Sequence, residues 1–187
     1  MRRQVLIFLK RIFIFLFLVL GLGMAGCGYT SRSLITNKFK TIYIKPFVNK
    51  VDITKETDIA NKYRVYRPLL ETDITRAVNN KFLFDGNLKP SEKETADLVL
   101  DAELIEFRRE PLRYTDNDEV EEYRLSLVVN MKLLDRGENK LIWQESNFTG
   151  DATYFVRGQM AKSEDAAIND AINDLARRIV ERTVEQW

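Results

Sequence analysis

The chain has 187 residues, 30% of them charged, with 29 basic against 28 acidic side chains, one cysteine and no histidine. That composition excludes Cys–His metal sites, histidine-based triads and any intrachain disulfide. A net charge of +1 gives no overall field for holding nucleic acid.

The first stretch differs sharply from the rest. Arg2, Arg3, Lys10 and Arg11 form a positive leader, Ile12 to Leu20 is an unbroken apolar run, and Gly21 to Gly26 is built mainly of small residues. These are the three parts of a secretory signal. The apolar core is shorter than the roughly 20 residues of a spanning helix. Met24-Ala25-Gly26-Cys27 resembles the lipobox of bacterial lipoproteins, with Met in the place usual for Leu. Small side chains before the cut let a peptidase approach the backbone, and the thiol of Cys27 carries the lipid. Each buried CH₂ contributes roughly 0.8 kcal/mol, so two or three acyl chains hold where one would not. Residues 1–26 are therefore expected to be a signal peptide and 27–38 a lipidated tether. Residues 39–187 form the expected single domain. Removing 26 residues leaves 161, with four of the 29 basic residues lost and none of the 28 acids, so the net charge becomes −3.

Within the domain, Lys40 to Lys45 alternates like a strand until Pro46 stops it. Phe47 to Lys62 has no clean period and reads mostly as loop. Pro68 is suited to a first helical position, followed by Leu70, Ile74, Ala77, Val78 and Phe82 at helical spacing. Asp85-Gly86-Asn87 reads as a turn. Leu98, Leu100, Ala102 and Leu104 share a strand face. The apolar phase then slips to Ile105 and Phe107, which predicts a bulge. Tyr123, Leu125, Leu127, Val129, Met131 and Leu133 form the cleanest alternation in the chain. A loop around Gly137 leads to a return strand from Lys140 through Trp143 toward Phe148 and Val156. Ser163 caps a last helix with Ile168, Ile172, Leu175 and Ile179 on one stripe. The order β-α-β-β-β-α predicts an α+β two-layer sandwich, with two helices on one face of a four-stranded antiparallel sheet.

No phosphate-loop, dinucleotide, nucleophile-elbow or zinc-protease motif occurs. The acids Asp116, Asp118, Glu119, Glu121 and Glu122 cluster between two strands, and such a run reads as a solvated loop rather than a catalytic pair. Two basic groups stand out: Arg108, Arg109 and Arg113 near Pro111, and Lys132, Arg136 and Lys140 around the Gly137 loop. Guanidinium and ammonium groups suit a phosphorylated glycolipid. Of the aromatics Phe82, Phe84, Trp143, Phe148, Tyr154 and Phe155, some are expected on a partner-facing surface. No catalytic residue, metal or cofactor is expected.

The mature chain resembles the lipopolysaccharide-assembly lipoprotein family, LptE. The resemblance rests on Cys27-Gly28-Tyr29, Ile44-Lys45-Pro46-Phe47-Val48-Asn49, Leu70 to Ala77, Ala96-Asp97-Leu98-Val99-Leu100 and Glu121 to Leu127, with Trp143 and an Ala-rich final helix after them. It implies a lipid-anchored protein on the periplasmic face of the outer membrane. Such a protein plugs a large β-barrel of the LptD kind and assists insertion of lipopolysaccharide into the outer leaflet. Arg136 and Lys140 are the candidate lipopolysaccharide contacts, by loop position and charge. Two rival classes are a periplasmic lipoprotein that activates a cell-wall synthase or belongs to a curli-type pore, and an envelope enzyme using the acidic loop.

Overall fold

Strand pairing begins with the shortest elements. In the computed structural model, which describes residues 38–51 and 67–184, β1 (Thr41–Ile44) lies between β3 (Lys89–Pro90) and β4 (Leu98–Tyr114). It runs parallel to both, with Ile42 opposite Pro90 and Leu98. β2 (Val48–Asn49) then pairs parallel with Glu103 and Leu104 of β4. The long strands β4, β5 (Val120–Asp135) and β6 (Lys140–Phe155) form an antiparallel meander beyond them. The sheet therefore has six strands and is mixed, against the expected four and antiparallel. The added strands are two residues each, too short to show an alternation, and one of them contains a proline. β2 also falls in the stretch expected to be loop, of which residues 52–62 lie outside the described residues.

The predicted bulge is present. The β4–β5 register shifts between Leu104 and Glu106, leaving Ile105 as the extra residue that moves Phe107 onto the core face. A second irregularity at Pro111–Arg113 turns the last residues of β4 over again. Past Leu104 neither β1 nor β2 accompanies β4, so its second half is a sheet border among the described residues. Pro111 is tolerated there because it has no N–H to give to a ladder.

Helix α1 (Leu70–Asp85) puts Leu70, Ile74, Val78 and Phe82 on one stripe, all buried. Pro68 stands two residues ahead of it rather than at its first position. The entry is made by Leu69 at φ 65°, whose carbonyl accepts from the N–H of Thr72 and Asp73 at 2.9 and 3.1 Å. At the other end Gly86, at φ 76°, donates its N–H to the Phe82 carbonyl, the left-handed stop that glycine makes without strain. Helix α2 (Glu164–Val184) starts as its sequence predicts. Ser163 Oγ accepts from Ala166 N–H at 3.2 Å, and Glu164 and Asp165 occupy the first turn.

Both helices lie on the same face of the sheet. Ile42, Leu98, Leu100, Leu104, Leu125, Leu127, Val129 and Leu133 from the strands meet Ile74, Val78, Phe82, Leu175 and Ile179 from the helices in one core. Burying each such side chain stabilises the fold by roughly 1.5–3 kcal/mol. The described residues fall within one compact unit, Ser33–Trp187. No helix among them is long and apolar enough to cross a membrane.

α2 also reaches over the border strand β6. The Asp174 carboxylate accepts from Asp151 N–H at 3.1 Å, and Arg178 donates to the Thr149 carbonyl. Two backbone groups that would otherwise offer pairing to another strand are thereby occupied.

Candidate functional site

The pairing pattern sorts the charged residues to two ends of the sheet. The starts of β1, β3, β4 and β6 and the finish of β5 share one end, which also receives the chain from Lys38. The Lys38 ammonium lies 3.1 Å from both Asp135 and Glu138, joining the β5–β6 turn to the entry of the domain. Its pKa is raised by Glu138 and then Asp135. Asp97 accepts from Lys40 N–H at 2.8 Å and Thr41 N–H at 3.0 Å. The Lys40 N–H is the main reason its carboxyl titrates below the ordinary value, with burial opposing. Asp135 is lowered first by Glu138 N–H, with burial opposing and Lys38 adding to the effect.

Arg136 and Lys140 therefore sit beside each other's strand ends at the entry end, as the turn predicted, but they differ. Arg136 donates Nε to the Ala96 carbonyl at 2.6 Å and its backbone N–H to Asp97 O at 2.9 Å. It clips the turn to the start of β4 while its side chain stays exposed. Lys140 is exposed and forms no ion pair with a described residue. The turn itself bends at Asn139, φ 49°, and not at Gly137. Lys132 belongs to the open sheet face, 3.5 Å from Asp101, which Lys45 also holds at 2.8 Å.

The second basic group does not converge. Arg109 faces the helices, opposite Leu125, and its guanidinium lies 2.5 Å from Glu164 and 4.9 Å over the Tyr123 ring. Tyr123 stacks on Tyr154 with centroids 5.8 Å apart, and the Tyr154 hydroxyl is 3.3 Å from the same Glu164 oxygen. Burial, and then Glu164, pushes the Tyr154 hydroxyl up from its usual pKa. Arg113, past the irregularity, lies on the opposite face against Glu122 at 3.6 Å and over Phe155. Arg108 is held between Glu106 and Glu110. Arg109 thus ties β4 to α2 and Arg113 ties β4 to β5, while Arg108 stays within its own strand, roles that sequence proximity to Pro111 does not reveal.

The acidic loop at the far end is equally dispersed. Glu119 pairs with Arg157, which lowers its pKa, and Glu122 with Arg113. Asp116 and Asp118 are exposed. Among the described residues no cluster of three or more acidic, Cys or His side chains is placed to hold a metal ion.

Of the six aromatics singled out, Phe82, Trp143 and Tyr154 are buried and Phe148 and Phe155 half-buried. Only Phe84 stands out, 89% exposed, beside Leu83 at 63%. Phe84 forms the lip of an open groove of about 760 Å³ between α1 and α2. Arg67, Arg76, Lys81 and Arg177 line that groove, and Asp73 and Asp174 partly neutralise them. Cys27, the expected acylation site, lies outside the described residues.

No curated protein matches the chain closely enough to count as a relative. A protein of the DUF330 family from Xanthomonas campestris shares the fold at a TM-score of 0.54 and 11% identity, covering 78% of this chain and 84% of its own. A minor lipoprotein from Acinetobacter baumannii aligns at 0.43 and 17%, covering 78% and 91%. The rare lipoprotein B of Shewanella oneidensis aligns at 0.40 and 13%, covering 77% and 90%. The lipopolysaccharide-assembly model LptE matches residues 39–183, from the residue before β1's approach to the last turn of α2. The chain is a member of the LptE lipopolysaccharide-assembly family.

Proposed function

We propose that this protein is an outer-membrane lipoprotein, anchored through acylated Cys27, that works without catalysis as the plug and assembly partner of a large β-barrel. With that barrel it assists the insertion of lipopolysaccharide into the outer leaflet. The observation that carries the reading is the extent of the family match, 39–183, which coincides with the two-layer sandwich. The lipobox Met24–Cys27 ahead of it supports the anchor. The spread of the titratable groups supports a fitting role, because Glu119, Glu122 and Glu164 each face an arginine and not one another.

Lys140, exposed and without an ion pair among the described residues, is the better candidate for a phosphate of lipopolysaccharide. Arg136 would serve both that ligand and its own turn. Lipidated protein extracted from outer membranes tests the reading directly. A detergent-stable complex with a large barrel is the expected result. Recovery with a cell-wall synthase, or as a self-assembled ring, would overturn it.

A further inference from the structure

The groove between α1 and α2 has a small apolar floor, Ala77, Ile172 and Ala176, and two polar rims. Asn169, Asn173 and Arg177 follow one another at a turn's spacing along the α2 rim, and Arg76, Asn80, Lys81 and Phe84 form the α1 rim. The three asparagines are exposed, and none of them hydrogen-bonds to a described residue. Asn79 differs, since its amide donates to the Thr75 carbonyl at 2.9 Å. Asparagine in a helix interior is disfavoured against Ala, Glu or Lys. Nothing in the packing of α1 and α2 accounts for three of them beside one groove.

An asparagine amide offers a donor and an acceptor side by side, so it can pair with the N–H and C=O of a peptide backbone. Asn169 and Asn173 are roughly 6 Å apart along the helix axis. An extended chain repeats the groups on one of its sides every 6.6 Å or so, about the same step. From Asp73 to Phe84 the rim is roughly 16 Å long, room for about five extended residues.

Charge decides what that extended chain carries. Four cations line the groove against Asp73 and Asp174, an excess of two positive charges in a chain whose mature net charge is −3. Asp165 and Glu181 engage Arg67 and Arg177 from beside the groove, at 3.2 and 2.7 Å, so the open positive side is the α1 rim. Arg76 is 68% exposed and lies 3.4 Å from an Asp73 that Arg67 shares. Lys81 has no ion pair with a described residue. Arg76 and Lys81 are roughly 7.5 Å apart along the axis, again close to a two-residue step of an extended chain.

We propose that the groove seats an extended segment of the β-barrel partner, with acidic side chains at alternate positions. Its backbone pairs with Asn169 and Asn173. Its acids, on the side turned away from the floor, reach across to Arg76 and Lys81, and small residues between them turn down onto Ala77 and Ala176. Amides at strand spacing recognise a peptide backbone, which a free anion does not have. The lumen of an outer-membrane barrel is polar, and loops fold into it, so a plug meets such segments there. The inference rests on the plug reading above and names the kind of segment that the plug holds.

The photo-crosslinker p-benzoylphenylalanine in place of Phe84 sits at the groove's lip and keeps an exposed aromatic there. Lipidated full-length protein carrying it would be irradiated in cells, the complex purified and the adduct sequenced by mass spectrometry. The expected adduct joins the barrel through one segment with Asp or Glu at alternate positions. Arg76→Glu with Lys81→Glu should lower its yield several-fold, and the charge-keeping pair Arg76→Lys and Lys81→Arg should restore it. Asn169→Ala with Asn173→Ala should lower it as well while Tm holds or rises, because alanine favours the helix. A lost adduct with a fallen Tm would make the asparagines structural and overturn their role. A barrel that copurifies without an adduct, or with one that lacks acids or ignores the charge reversal, overturns the groove assignment and leaves the plug standing. An adduct to lipopolysaccharide or to a second copy of the chain overturns it too. A complex that contains no barrel takes down the plug and the groove together.

Discussion

Gly150 of β6 lies so close to Leu175 of α2 that a β-carbon built on it would fall 2.4 Å from the Leu175 Cβ and 2.5 Å from its Cα. Backbone meets backbone there, and no flexible side chain can give way. Gly150→Ala would normally restrict the unfolded chain and stabilise by a few tenths to about 1 kcal/mol. Here it must lever α2 off the sheet, so a loss of about 3 kcal/mol is expected, the upper range for overpacking. A fall of roughly 10 °C in Tm follows for a domain of this size. An unchanged or raised Tm would mean the helix does not pack where described.

The Arg109–Glu164 pair is a second load on α2, since it fixes the helix's first turn to the sheet. Arg109 is only 11% exposed, so removing it leaves a carboxylate beside a tyrosine hydroxyl with little water. Arg109→Met should cost about 1–2 kcal/mol in urea unfolding, less than for a fully buried pair because Glu164 retains some solvent. Adding Glu164→Leu should recover part of it. Additive losses in the double variant would show that the two side chains are not coupled.

Acid should loosen the entry end. Asp97 and Asp135 both titrate below the ordinary carboxylate value of 3.8, held by Lys40 and Glu138 N–H groups respectively. A depressed folded pKa gives stability that is present above the unfolded value and is lost as pH falls through the folded one. Stability should therefore be flat near neutrality and decline below about pH 4. Asp97→Asn should lower stability at neutral pH and flatten that acid limb. A variant with the same acid slope as the parent would contradict the assignment.

Charge reversal separates the two loop cations. Lys140→Glu should reduce lipopolysaccharide binding or export while the barrel complex and the Tm remain unchanged. Arg136→Glu should do the same with some loss of Tm, because the bond to the Ala96 carbonyl goes with it. Wild-type binding and export in both would remove the two residues from the site. Cys27→Ser, followed by fractionation and mass spectrometry, should leave an unprocessed or mislocalised precursor. Correct outer-membrane localisation of that variant would remove the anchor.

What the sequence reveals depends on how many residues carry each signal. The β5 alternation, the bulge at Ile105 and the Ser163 cap are each written in several residues, and all three are present. β2 and β3 are two residues long, so parallel pairing around β1 has no pattern to read. Arg109 and Arg113 look like one basic group in sequence. The register shift at Pro111 puts them on opposite faces, which alternation alone cannot reveal. In the turn, the left-handed residue is Asn139 because the bend closes just before β6, where Asn tolerates positive φ. Phe84 follows Phe82 by two residues, about 200° around the helix from the buried stripe, so the helical spacing itself turns it outward.

Pro111 leaves a gap in the row of donors along the second half of β4. Another copy of the chain laid along that flank would lose a rung of its ladder at the gap. The fold thus carries a built-in obstacle to polymerising with itself along that flank.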